Sequence, residues 1–176
     1  MKKIAIIGPE STGKSTLCEQ LAAYYKTQWV PEYAREHLVK YGMKYSYDDL
    51  LTIAHQQVAL EEKYLSGAGP NQRTLFIDTE MYVMKVWCEF VFGQCHSWIL
   101  EQIAQRKYDL YLLCNIDLPW SLDPLREYPD IKPRQELYHI YKDIMINQAV
   151  SWRDISGNYD DRLQKAIASV DELLKQ

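Results

Sequence analysis

Gly8-Pro9-Glu10-Ser11-Thr12-Gly13-Lys14-Ser15 decides the reading of this chain. Ile4 to Ile7 precedes it, an apolar run without alternation and so the mark of a strand buried on both faces. Thr16 to Lys26 follows it and reads as a helix. The octet fits G-x-x-x-x-G-K-[ST], a spacing that arises by accident in a chain of this length roughly once in a hundred or less. Glycine at 8 and 13 admits backbone torsions closed to other residues and lets the main chain approach an oxyanion closely. The amides of residues 10 to 15 can then point at a β-phosphate, with the positive end of the helix behind them. Lys14 offers a point charge to β and γ oxygens, and the Ser15 hydroxyl is a ligand for Mg²⁺. A glycine turn without a ligand would leave that lysine at a helix end that attracts anions.

Working outward, Trp29-Val30-Pro31 is a short second strand stopped by proline, and Ser46 to Asp49 resembles a capping box with Asp in place of Glu. The helix it opens presents Leu51, Ala54, Val58 and Leu65 on its apolar face. Leu75 to Ile77 forms a third strand closing in Asp78, residues 80 to 106 are helical with a break near Gly93, and Leu110 to Cys114 is the fourth strand. Asp117 to Pro133 holds four prolines and reads as a loop, before a helix with Leu137, Ile140, Tyr141, Ile144 and Gln148 along one side. Val150 to Ile155 is the fifth strand, and a last helix turns Leu163, Ile167, Val170 and Leu174 inward. Apolar strands alternating with amphipathic helices predict an α/β fold, a five-stranded parallel sheet covered on both faces. Its length suits a single-domain P-loop NTPase over 1–176, with a lid at about 117–135.

Composition narrows the partners. The 176 residues carry 20 Lys+Arg against 24 Asp+Glu, a net charge of -4, so a nucleic acid, whose binding rests on neutralising many phosphates, is not the expected partner. A small anion is still compatible, because a local pocket can be positive on an acidic protein. The four cysteines show no C-x-x-C pair and the four histidines assemble no zinc pattern, which predicts reduced thiols and a cytoplasmic chain. No apolar stretch approaches the ~20 residues that span a bilayer, so no membrane partner is expected. Nothing in the sequence locates an oligomer interface.

Asp78 sits where a strand end meets the phosphate loop, a place for a carboxylate that holds Mg²⁺ or a substrate hydroxyl; it also suits a cap for the helix starting near Glu80. A GTPase needs D-x-x-G and N-K-x-D, but Asp78-Thr79-Glu80-Met81 and Asn115-Ile116-Asp117-Leu118 are neither. An AAA-type motor wants adjacent Asp-Glu, and Thr79 follows Asp78. These absences point to a small-molecule kinase using ATP and Mg²⁺. Just past the second strand, Pro31-Glu32-Tyr33-Ala34-Arg35 supplies a carboxylate able to accept a proton from an attacking hydroxyl and an arginine able to hold the acceptor, or else an ordinary solvated Glu/Arg pair. Trp120, Asp123, Arg126, Lys132 and Arg134 place an aromatic and several cations in one stretch, either a basic surface loop or a lid that excludes water and steadies the migrating phosphoryl group. Such an arginine is worth 10³ to 10⁵ in rate, on the order of 4 to 7 kcal/mol of barrier. Trp120 beside a proline in a polar loop reads as a stacking surface for a ring.

Taken together, these stretches resemble the ribosylnicotinamide kinase domain of NadR-type proteins from Ile4 to about Leu174. The match runs through the octet at 8–15, Glu-Tyr-Ala-Arg at 32–35, Ala-His-Gln-Gln at 54–57, Phe-Ile-Asp-Thr at 76–79, Pro-Trp at 119–120, Asp-Pro-Leu-Arg at 123–126 and Tyr-Asp-Asp-Arg-Leu at 159–163. Only the octet is specific by itself. The resemblance implies phosphorylation of the 5′-hydroxyl of nicotinamide riboside by ATP, on a fold like the nucleoside monophosphate kinases. It puts ATP against Gly8, Glu10, Ser11, Thr12, Gly13, Lys14, Ser15 and Thr16, with Arg134 beside the phosphates and Gly157 and Tyr159 near adenine. The acceptor would meet Glu32, Tyr33, Arg35, Asp78, Trp120 and Asp123, its ring against Trp120. Lys14, Glu32, Asp78 and Arg126 would carry the chemistry, with Ser15 and Asp78 at the metal. Full NadR-type proteins place an adenylyltransferase domain ahead of the kinase; this chain opens on the first strand without an H-x-G-H signature, so neither NAD formation nor repression is expected of it. A slow nucleotide switch and a kinase of another nucleoside are the alternative readings. If the octet grips a triphosphate, Lys14→Ala abolishes turnover while leaving the thermal midpoint nearly unchanged; a variant with normal turnover contradicts the loop assignment.

Overall fold

Strands without alternation need cover on both faces, and the computed structural model, which describes residues 1–175, supplies it. Five strands, β1 (Lys2–Ile7), β2 (Trp29–Val30), β3 (Thr74–Asp78), β4 (Leu110–Cys114) and β5 (Trp152–Ile155), form one parallel sheet in the order β2-β3-β1-β4-β5. Seven helices cover it: α1 (Lys14–Tyr25), α2 (Tyr33–Tyr41), α3 (Tyr47–Ser66), α4 (Met81–Phe92), α5 (Ser97–Gln105), α6 (Ile131–Asn147) and α7 (Tyr159–Leu174). Alternate residues of β1 feed opposite cores. Ile4 and Ile6 pack with Leu17, Leu21, Phe76 and Val170 under α1 and α7. Ala5 and Ile7 pack with Val83, Val86, Leu113 and Leu137 under α4 and α6. Each fully buried isoleucine or leucine contributes about 1.5–3 kcal/mol. A third core joins α2, α3, α4 and α5 through Leu50, Ile53, Met84 and Ile99. The strand order reverses direction at β1, so its C-terminal end opens into the crevice where such sheets bind ligands.

Local signals and structure diverge at informative places. Helix α1 begins at Lys14, two residues before the expected start, because Gly13 in a left-handed conformation caps it without a side chain. The capping box is present, Ser46 Oγ accepting from Asp49 N at 3.2 Å and the Asp49 carboxylate from Ser46 N at 2.8 Å. Its helix buries Leu50, Ile53, Ala54, Gln57, Val58 and Glu61, leaving Leu51 and Leu65 half-buried. Two polar residues fit this inner stripe because both are fully engaged. Gln57 accepts from Tyr33 N at 2.8 Å and donates to Pro31 O at 3.3 Å, while Glu61 meets Lys3 Nζ at 3.0 Å and the Tyr108 hydroxyl at 2.7 Å. The break falls at Gly93, whose left-handed φ of 70° ends α4.

Helix α6 starts at Ile131, inside the stretch expected to be loop. Pro133 falls in its first turn, where the missing N–H costs nothing. Arg134 is therefore a buried helical residue and not part of a mobile loop. Tyr138 and Met145 complete the buried face of α6, and Gln148 is its exposed cap. Strand β5 is shorter than expected, starting at Trp152. Helix α7 buries Arg162, Ala166 and Leu173 besides Ile167 and Val170. Among the described residues no helix is long and apolar enough to cross a membrane.

Glu80 caps α4, its carboxylate accepting from Tyr82 N at 2.9 Å, and burial pushes its acid dissociation up to about 8. A carboxyl whose folded value lies above its unfolded one binds its proton more tightly in the folded state. That stability is present below the unfolded value near 4.5 and is lost as pH rises through 8. Thermal or urea unfolding of Glu80→Gln should therefore outlast the parent increasingly from pH 5 to 8.5, by roughly 1–3 kcal/mol at the upper end. A difference that does not change with pH contradicts the protonated cap.

Candidate active site

The phosphate loop leaves β1 and crosses the end of β4. Gly8 has φ 137°, and a Cβ there would come within 2.7 Å of the Cys114 carbonyl oxygen, so only glycine lets the chain pass. Thr12 Oγ1 donates to Pro9 O at 2.7 Å and Lys14 Nζ to Pro9 O at 3.0 Å, closing the loop on itself. No side chain caps the first turn of α1, which leaves its N–H groups facing the crevice as an anion site. Ser11 adopts a left-handed φ of 57°.

Beside the loop, Asp78 ends β3 wholly buried. Ser15 Oγ donates to its Oδ2 at 2.5 Å, while Oδ1 has no partner. Burial, and then the nearby Glu32 carboxylate, push the Asp78 acid dissociation well above the usual carboxylate range, against Lys14, Ser15 and Arg35. The helix-capping role considered for Asp78 falls to Glu80 instead. Glu32 precedes α2 and accepts from Thr79 Oγ1 at 3.2 Å; Thr79 itself holds a left-handed φ of 75°, unusual for a β-branched residue.

A cavity of about 210 Å³ joins the phosphate loop to Glu32. The whole octet and Thr16 line it, together with Glu32 and Arg35 and an apolar, aromatic set of Val86, Trp87, Phe90, Leu125, Tyr128 and Tyr141, the lobe. The connection from β4 to α6 folds over it. Arg35 pairs with Asp123, the Ser11 hydroxyl accepts from Arg126 Nη1 at 3.2 Å and from Ser121 N at 3.1 Å, and Arg134 Nη2 donates to Ser11 O at 3.3 Å. Arg134 is 3% exposed and pairs with no carboxylate; its Nε has no partner. Tyr33 turns its N–H to Gln57 and does not line the cavity. Trp120 does not line it either. Its ring faces the guanidinium groups of Arg126 and Arg134 at 5.8 and 5.4 Å. On the other side of the loop, Tyr159 lies against Gly13, and Gly157 N donates to Asp117 Oδ2 at 2.6 Å.

Sequence reasoning missed two sets of residues. The α4 part of the aromatic lobe, Val86, Trp87 and Phe90, is one; the apolar residues of α4 run almost all round the helix, and that excess beyond one buried face was the available signal. Arg162 is the other. Only 2% exposed, it donates to Thr12 O, Asn115 O and Gly157 O at 2.8 Å each and pairs with Asp117, fixing the back of the phosphate loop. An arginine inside the apolar stripe of α7 marks it.

Residues 3–162 match a family model described as an AAA domain, AAA_28. Over 182 residues and 99% of its length the chain is 26% identical to the trifunctional NAD biosynthesis/regulator protein NadR of Escherichia coli (strain K12), and 25% identical to that of Salmonella typhimurium. It spans 43% of the length of these curated relatives. Among solved structures, that of NadR protein in complex with NR superposes with a TM-score of 0.81 at 22% identity, covering 98% of this chain and 51% of the other. NadR in complex with NAD and AMP-PNP gives 0.80 at 22% identity, over 99% of this chain and 50% of that one. Thymidylate kinase from Ehrlichia chaffeensis gives 0.69 at 15% identity, with 98% of both chains covered. These likenesses bear out the fold, a P-loop α/β domain with a nucleoside monophosphate kinase-like layout. With an intact phosphate loop and a match along most of its length, the chain belongs to the AAA_28 family of AAA domains.

Proposed function

We propose that this chain transfers the γ-phosphoryl group of ATP to the 5′-hydroxyl of nicotinamide riboside, giving nicotinamide mononucleotide. The observation that carries the reading is one cavity that runs from the phosphate loop past Glu32 and Arg35 into an aromatic lobe. A switch protein has no need of the second half. The NadR relatives, and the NadR structures holding NR or AMP-PNP, favour this acceptor among nucleosides.

The site divides the work. Loop amides, the α1 N-terminus and Lys14 orient the triphosphate, with adenine toward Gly157 and Tyr159. Ser15 and Asp78 would hold Mg²⁺; the unpartnered, buried Asp78 Oδ1 next to a serine hydroxyl is a fitting donor set. Bound there, the ion would neutralise charge on the phosphate oxygens. That Glu32 and Arg35 line the cavity and Asp78 does not supports Glu32 as the acceptor of the hydroxyl proton and Arg35 as a holder of the ribose. Arg126 and Arg134 approach from the connection and from α6, where Arg134 carries a buried charge with no carboxylate partner and suits a phosphoryl group. Residues 115–130 act as the lid that excludes water. ATP and free thiols both go with a cytoplasmic location.

A panel of nucleosides with labelled ATP tests the reading: nicotinamide riboside should be phosphorylated fastest, and ATP hydrolysis without transfer to any nucleoside contradicts it. The two tryptophans separate the halves of the site. Trp87→Leu should raise the acceptor KM about tenfold or more with little change in that of ATP. Trp120→Ala, which frees Arg126 and Arg134, should lower kcat more than it raises the acceptor KM. The opposite pattern returns the acceptor ring to Trp120.

A further inference from the structure

A carboxylate inside a loop built to bind phosphate is electrostatically unfavourable, since it repels the anion its neighbours attract. Glu10 is such a group. It lines the cavity, and both of its oxygens are taken: Oε1 lies 3.1 Å and Oε2 3.0 Å from Glu127 N, and Oε1 also accepts from Tyr128 N. The two amides are consecutive and belong to the connection that roofs the acceptor lobe.

The same segment is held from its other side. The Glu127 carboxylate accepts from the Tyr45 hydroxyl at 2.8 Å, and that hydroxyl accepts from the Trp87 indole N–H at 2.9 Å. The Tyr45 and Trp87 rings meet edge to face at 5.1 Å, and Tyr128 packs edge-on against Phe90 at 5.4 Å. A continuous line therefore runs from the phosphate loop through Glu10 and residue 127 to Tyr45 and on to Trp87, which lines the cavity. Charge-assisted acceptance of two backbone N–H groups is among the stronger ways to fix a loop, and it fixes both the distance and the direction of the segment.

We propose that Glu10 is a positioning residue: it fastens residues 125–128 to the phosphate loop and so sets the roof of the acceptor lobe, acting through the backbone of Glu127 and Tyr128 and not by touching phosphate. This rests on the kinase reading for what the lobe receives, whereas the bridge itself stands on geometry alone. It makes the acceptor's fit depend on a residue of the nucleotide loop, so that two half-sites share one frame.

The test has two arms. Hydrogen exchange on the ligand-free protein reads the bridge: Glu10→Ala should speed exchange at residues 127 and 128 about tenfold or more, Glu10→Gln less, since a neutral amide oxygen accepts more weakly. Steady-state kinetics with ATP and nicotinamide riboside reads its use. Glu10→Gln should raise the acceptor KM roughly tenfold, several times more than any change in the ATP KM. Tyr45→Phe, remote from the phosphate loop, should raise the acceptor KM in the same direction and leave the ATP KM unchanged. Because both changes release one segment, the double variant should fall short of the product of the two. Unchanged exchange, equal effects on both KM values, or effects that simply multiply each overturn the proposal. A parent protein that phosphorylates no nucleoside overturns the kinase reading, and the exchange arm then still decides whether Glu10 holds the segment.

Discussion

Gly13 opens α1 without a side-chain cap, and the surroundings keep the first turn available to an anion. That arrangement needs support from outside, because glycines confer freedom and no rigidity. Arg162 provides it from behind, with three backbone carbonyls and Asp117 around one buried guanidinium. Removing one partner of such a cluster strands a buried charge, at about 3–5 kcal/mol. The strand β4 provides it from below, where the Cys114 carbonyl leaves room for Gly8 and nothing larger. From above come Ser11 and Glu10, tied to the connection that roofs the cavity. The phosphate loop is thus the point at which all the surrounding layers meet.

Two neighbouring carboxylates gain different properties from their positions. Asp78 is enclosed at the end of a central strand, with one oxygen on Ser15 and one free. Glu32 stands at the cavity wall at the start of α2, on an outer strand's continuation. A motor of the AAA kind would place a second acid directly after the strand carboxylate. Here Thr79 intervenes and Glu80 is folded into its own helix as a cap, so family membership does not bring that pair with it.

Much of the fold was legible because its signals are local. A buried parallel strand declares itself in four or five consecutive apolar residues, and β1, β3 and β4 lie where such runs occur. The octet carries its ligand in its spacing. Contacts across the chain left no such trace. Arg35 with Asp123, and Glu10 with residues 127 and 128, join positions about a hundred residues apart, and each partner alone reads as a solvated charge. The contacts of Trp120 were hidden for the same reason: its ring faces Arg126 and Arg134 of the protein itself, partners that its own polar loop sequence does not announce. The first turn of α6 was hidden by Pro133, which breaks a helix in its interior and suits one at its start.

The central claim is that this loop binds the triphosphate of a nucleotide in a site continuous with a nucleoside pocket. Isothermal titration of the protein with AMP-PNP and Mg²⁺, with and without saturating nicotinamide riboside, measures it directly. The account predicts one nucleotide per chain and an affinity that changes when the riboside is present. No heat with the nucleotide, or an affinity wholly indifferent to the riboside alongside no binding of the riboside itself, would contradict it.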